Sequence, residues 1–313
     1  MDTKRLVDPE LLPLLEVFPT LRFSAQTLEE IRGRTFPMPP ADTSATTLER
    51  LSVPGLAGAP PVELHVYRPK SASGRLACVF HVHGGGYVIG AAKTQEPAHR
   101  ALSAALGCAI VSVDYRLAPE TPFPGAIEDC YAGLSWTFRE AETLGLDTDR
   151  IGVMGESAGG GLAAALALMA RDRDEYRLAF QHLIYPMLDD RTCVAADPHP
   201  HVGEFIWTAH NNRFGWSSLL GREPGGEGVS PYAAAARADD LTDLPPTFIS
   251  TGALDLFLEE DLEYARRLAR AGVPVELHVY PGAFHAFDLA PGAAVAEQAR
   301  RDSREALARF TRG

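Results

Sequence analysis

Apolar residues recur along this chain with two periods, and they divide it into strands and helices. Residues 47–53 and 62–68 alternate apolar and polar side chains, and the Gly/Pro-rich stretch 55–61 separates them, which predicts an antiparallel strand pair. Short apolar runs at 77–82, 109–113, 151–154, 180–185, 247–251 and 275–280 predict buried strands. Helical stretches at 96–106, 124–144, 157–171 and 259–271 lie between most of them, and a last one covers 294–309. Alternating strands and helices with short loops predict the α/β class, a mostly parallel sheet flanked by helices on both faces. Right-handed crossovers then bring the functional loops to the C-terminal edge of the strands.

Two segments break that rhythm. Residues 1–45 are a helix-prone lead-in with apolar positions Leu11, Leu12, Leu14, Leu15, Val17 and Phe18. Residues 188–238 interrupt the sheet and carry Phe205, Trp207, Phe214 and Trp216, followed by the Gly-rich stretch 221–228. A long insertion at the catalytic edge of a sheet is expected to form a lid or pocket wall, and the alternative is that its aromatics pack it onto the body. No internal repeat or low-complexity tail is present, and 313 residues suit one α/β domain spanning 1–313.

Composition narrows the partners. The chain is 46% hydrophobic and 22% charged, with a formal net charge of −12. That balance argues against a nucleic-acid partner and against an anionic membrane surface. Asp8, Pro9, Glu10, Pro13, Glu16 and Pro19 interrupt the first twenty residues, so neither a secretory h-region nor a membrane anchor is expected there. Cys78, Cys108, Cys130 and Cys193 are widely spaced and lack C-x-x-C spacing, which fits free thiols in a reducing cytoplasm.

The chemistry concentrates at Gly155-Glu156-Ser157-Ala158-Gly159. An apolar run precedes it and a long Ala/Leu stretch follows, so a strand breaks into a tight turn and a helix starts at once. This is the G-x-S-x-G nucleophile elbow, with a serine hydroxyl raised on a strained turn. A serine needs a base and the base needs an orienter. Both are expected in loops after later strands. Asp255 follows the strand at 247–251 and His285 follows the strand at 275–280, giving the chain order Ser157, Asp255, His285. Glu259 is the nearest rival to Asp255 and is expected instead at the start of the next helix. His83-Gly84-Gly85-Gly86-Tyr87 follows the strand at 77–82. Backbone N–H groups of Gly84 and Gly85, with that of Ala158, are expected to form an oxyanion hole. His81 and His83 form an H-x-H pair without a suitably spaced third ligand, and His83 is read as holding the glycine loop. The glycines are not followed by the pattern of a phosphate cradle. No metal or cofactor site is read.

Taken together, these motifs resemble those of the hormone-sensitive-lipase-like carboxylesterases (bacterial family IV) of the α/β-hydrolase fold. The resemblance rests on His83-Gly84-Gly85-Gly86, Asp114-Tyr115-Arg116-Leu117-Ala118-Pro119-Glu120, Gly155-Glu156-Ser157-Ala158-Gly159-Gly160, and the Asp255 and His285 loops. It implies an eight-stranded sheet and a helical cap built from about 1–45 and about 188–238. It also implies hydrolysis of short- to medium-chain acyl esters, small molecules, without a cofactor. The Asp114–Glu120 stretch is expected to be structural. Three positions depart from the common pattern: Glu156 stands where many members have aspartate, Leu256-Phe257 replace Pro-Leu, and Ala286 replaces glycine. Phe257 is expected to reshape the alcohol-side pocket. An amidase or peptidase on the same fold and a non-catalytic ligand receptor are the alternatives. The strand at 275–280 offers an edge on which a homodimer could form.

Overall fold

Eight strands form one sheet in the order β1-β2-β4-β3-β5-β6-β7-β8 in a computed structural model that describes residues 3–34 and 40–312. Positions 1, 2 and 35–39, within the stretch expected to form part of a cap, lie outside the described residues, as does 313. The strands are β1 (Thr46–Val53), β2 (Val62–Pro69), β3 (Leu76–Val82), β4 (Ala109–Asp114), β5 (Leu146–Glu156), β6 (Gln181–Ile184), β7 (Thr247–Gly252) and β8 (Val275–Tyr280). β1 pairs antiparallel with β2, and β2 antiparallel with β4; every other pairing is parallel. The Gly/Pro-rich turn therefore joins an antiparallel pair, and the strand-helix alternation beyond it builds the parallel part.

The helices are α1 (Leu14–Val17), α2 (Leu28–Gly33), α3 (Glu96–Leu106), α4 (Gly125–Arg139), α5 (Ala158–Arg173), α6 (Ala209–Leu220), α7 (Leu258–Arg270) and α8 (Ala294–Arg312). Alternation along each strand divides the core between the two sheet faces. Cys78, Phe80 and Val82 of β3 join α4, α5 and α7 on one face. Ala77 and Val79 point the other way, into a second cluster with Met154, Ile184, α8 and the N-terminal residues Leu11 and Leu14. Helix α5 is buried along its length from Ala158 to Ala170, as expected for an alanine-rich helix wedged between sheet and neighbouring helices.

Two predicted elements differ most at their ends. β5 begins at Leu146, because Leu146 pairs with Leu76 across a register shift and extends the strand through the polar residues before Ile151. α4 stops at Arg139 rather than 144, where residues 140–145 turn and Gly145 takes φ 63°. Ala141 and Leu144 of that turn are still buried, which gives the sequence its helix-like apolar spacing.

Candidate active site

Ser157 lies between the end of β5 and the start of α5 with φ 55° and ψ −123°. A side chain rarely adopts that backbone, so its surroundings must hold it. The Ser157 N–H donates to the Ile184 carbonyl at 2.9 Å, and its own carbonyl accepts from Gly161 at 3.0 Å and Met187 at 2.9 Å. The bend also requires close backbone approach. A Cβ on Gly155 would stand 2.2 Å from the Gly159 carbonyl oxygen, and one on Gly159 would stand 2.1 Å from that of Val82. Glycine at both positions is what lets strand and helix cross there.

The loops after β7 and β8 bring the other two predicted side chains to this turn. His285 Nε2 is 2.9 Å from Ser157 Oγ, and His285 Nδ1 is 2.8 Å from Asp255 Oδ2. The other Asp255 oxygen accepts from the Phe257 N–H at 3.0 Å. A carboxylate only accepts, so the Nδ1–H donates to Asp255 and the Nε2 lone pair is left to accept from the Ser157 hydroxyl. All three residues are buried. Tyr185 and Phe257 flank the imidazole with ring centroids at 4.7 and 5.2 Å. Phe257 is fully buried and meets the imidazole edge-on at 89°. It backs the base and does not contribute to the cavity wall, which corrects the expectation that it reshapes the alcohol side.

The glycine loop lies against the elbow. A Cβ on Gly84 would be 2.8 Å from the Glu156 carbonyl and 3.5 Å from Ser157 Cβ. Ala158 opens α5, so its N–H has no acceptor within the helix. The N–H groups of Gly84 and Gly85 take no part in the turn and loop hydrogen bonds, although the Gly85 carbonyl accepts from Val88 and Ile89. Gly84, Gly85 and Ser157 line one cavity.

His81 and His83 face different partners. His81 Nε2 is 2.9 Å from Glu156 Oε2 and its Nδ1 is 2.9 Å from Ser112 Oγ. His83 Nδ1–H donates to the Gly84 carbonyl at 2.9 Å. The ring stacks on Tyr115 at 4.2 Å, and the Tyr115 hydroxyl donates to the His83 carbonyl at 2.8 Å. Burial pushes His83 down to about 4, so it is a neutral brace for the loop at ordinary pH. The Asp114–Glu120 stretch works in the same way. Asp114 accepts from the Ala92 N–H at 2.7 Å, and Arg116 pairs with buried Asp129 at 2.7 Å. Among the described residues, no group of three His, Cys, Asp or Glu is arranged to hold a metal ion.

A cavity of about 620 Å³ opens at Ser157 and His285. That size suits a small organic ligand. Of Phe205, Trp207, Phe214 and Trp216 in the 188–238 insertion, Trp207 alone lines it. The other three pack the insertion down: Trp216 against Tyr87 at 5.1 Å, Phe214 against Phe23 at 6.5 Å and Phe205 against Phe284 at 5.7 Å. Trp207 meets Phe23 edge-to-face at 5.5 Å, so the N-terminal segment and the insertion share one wall. Leu21 and Phe23 also line the cavity, though no apolar period in the sequence singled them out. Tyr185 and Asp288 are lining residues that sequence reasoning missed. The Tyr185 hydroxyl donates to Asp288 at 2.8 Å, and burial raises the Asp288 carboxyl above the usual range. The only local cue to Asp288 was its position three residues after His285.

Comparison with known proteins places this geometry. Residues 79–289 match the family described as the alpha/beta hydrolase fold. The chain is 35% identical over 288 residues to carboxylesterase NlhH of Mycobacterium tuberculosis, covering 90% of this chain and 88% of that protein. The solved structure of a bacterial heroin esterase superposes with a TM-score of 0.90 at 39% identity, covering 99% of this chain and 100% of the other. An esterase from the archaeon Pyrobaculum calidifontis superposes with a TM-score of 0.82 at 30% identity, covering 97% and 98%.

Proposed function

From the premise that the chain belongs to the alpha/beta-hydrolase fold family, in its hormone-sensitive-lipase-like branch of carboxylesterases, we propose that Ser157, His285 and Asp255 are its catalytic triad. The observation that carries the reading is the unbroken line from Ser157 Oγ through both ring nitrogens of His285 to Asp255, at 2.9 and 2.8 Å. His285 Nε2 takes the Ser157 proton as Oγ attacks the ester carbonyl. The tetrahedral oxyanion is held by the N–H groups of Gly84, Gly85 and Ala158. The imidazolium then protonates the leaving alcohol, leaving an acyl-Ser157. Water, deprotonated by the same nitrogen, releases the acid and restores the serine. Asp255 fixes the ring tautomer and stabilises the imidazolium throughout.

The substrates are small esters of short to medium acyl chain. The cap is the N-terminal segment to about 45 together with about 188–238, and its Phe23–Trp207 contact supports that assignment. The four free cysteines support a cytoplasmic site of action. Among the described residues, no helix is long and apolar enough to cross a membrane. β8 has one unpaired edge and exposes Leu277 and Val279, which supports it as the surface of a homodimer. The test is turnover of p-nitrophenyl acetate and butyrate by Ser157→Ala. Near-complete loss with an unchanged circular dichroism spectrum is expected, and retained turnover would sink the triad.

A further inference from the structure

The cavity does not end at the serine. It continues past Met154, Glu156 and Ile184 into a cleft between α3 and α8, on the sheet face opposite the nucleophile helix. Each helix turns one stripe toward the cleft. On α3 the stripe is Ala98, Ala101, Leu102 and Ala105; on α8 it is Arg300, Ser303, Arg304 and Leu307. Both follow the spacing i, i+3, i+4, i+7, which marks a single helix face. Seven residues of helix rise about 10 Å, so the cleft is a trough of that length. Met154 and Ile184 of the sheet floor it, and both belong to the apolar cluster on this face. Three of the four α3 positions are alanines, and Ala98, Ala101 and Ala105 are all solvent-exposed. Small side chains in those places keep the trough open where larger ones would fill it.

We propose that this trough is a specificity arm of the site: it takes a linear, medium-length apolar chain of the ester, extended between α3 and α8 away from Ser157. The idea rests on the esterase reading above and names the substrate class within it. Continuity with the serine supports it, because a chain attached to the reacting carbonyl reaches the trough without leaving the cavity. A cap-side wall alone, formed by Phe23 and Trp207, would bound the chain close to the carbonyl. Each methylene buried in the trough would be worth roughly fourfold in kcat/KM. α3 starts just after the glycine loop, so Ala98 lies nearer the catalytic edge and Ala105 farther down.

The experiment fills the trough at graded depth with Ala98→Trp, Ala101→Trp and Ala105→Trp. Exposed helix positions tolerate the change, and thermal melts confirm folding. kcat/KM is measured on p-nitrophenyl esters from acetate to dodecanoate, and on alkyl acetates of matched length to cover the alcohol arm. Acetate turnover is expected within twofold of wild type in all three variants. Turnover of long chains in one of the two series should fall tenfold or more, with the cut-off shortest for Ala98→Trp and longest for Ala105→Trp. An unchanged length profile in both series overturns the proposal. Ser157→Ala, run alongside, separates the two readings: if it is silent while the profiles stay unchanged, the trough fails and the triad stands. If it retains turnover, the triad reading fails.

Discussion

Arg32 of α2 forks onto Glu120, with Nη1 2.7 Å from one carboxylate oxygen and Nη2 2.9 Å from the other. The same guanidinium donates from Nε to the Val88 carbonyl at 2.8 Å and from Nη2 to the Ala118 carbonyl at 2.9 Å. The N-terminal segment is thereby fastened to the chain just beyond the glycine loop. Only a planar fork reaches all three acceptors. Arg32→Ala should cost about 2 kcal/mol of stability, because two carbonyls lose a charged donor. Arg32→Lys should restore less than half of that. Urea unfolding of the three proteins checks it, and equal midpoints would show that solvent screens the contact.

The hydrogen-bond line through His285 predicts strong non-additivity. Asp255→Asn should lower kcat on p-nitrophenyl butyrate by roughly 10⁴-fold and Ser157→Ala by roughly 10⁶-fold, and the double variant should be little worse than the poorer single. Stopped assays at high enzyme concentration would resolve the residual rates. Multiplicative losses would argue that the two residues act separately.

Gly86 and Trp207 are in contact across the cavity wall. Gly86 has φ +60°, and a Cβ there would stand 2.0 Å from Trp207 Cη2. Gly86→Ala should destabilise the protein by about 2–4 kcal/mol, combining left-handed backbone strain with overpacking. Adding Trp207→Leu removes the overlap but not the strain. The double variant should therefore regain at least about 1 kcal/mol in a double-mutant cycle. Strict additivity would mean that the indole is free to move aside.

His83 links stability to pH. Its folded value of about 4 lies below the ordinary 6.5 because burial disfavours the charged ring. Between those two values the unfolded chain binds a proton that the folded chain refuses. The contribution of His83 is therefore complete above 6.5 and is lost as pH falls toward 4. The gap is worth on the order of 3 kcal/mol. Unfolding free energies of wild type and His83→Gln should converge or cross between pH 7.5 and 4.5, with wild type losing about 2–3 kcal/mol relative to the variant. A constant difference would place the proton elsewhere.

Much of the site was legible because local chemistry marks it. The paired glycines around Ser157 encode a crossing that no other residue permits, and the strand-end positions of Asp255 and His285 follow from the apolar runs before them. The aromatics of the 188–238 insertion were not legible one by one. Trp207, Phe214 and Trp216 read alike in sequence, yet only Trp207 lines the cavity, since which face of the insertion looks inward depends on how α6 docks. Tyr185 and Asp288 lacked any motif, and they meet only because the ends of β6 and the loop after β8 converge.

The sequence alone determined the α/β class, the eight strands, the elbow and the order of its partners, because each rests on periodicity or on backbone permission, which act over a few residues. Tertiary structure alone decided what surrounds the imidazole, that Phe257 backs the base, that Arg32 reaches Glu120, and that the cavity runs on between α3 and α8. Those facts join segments tens to hundreds of residues apart, and packing settles them through contacts that no local pattern contains.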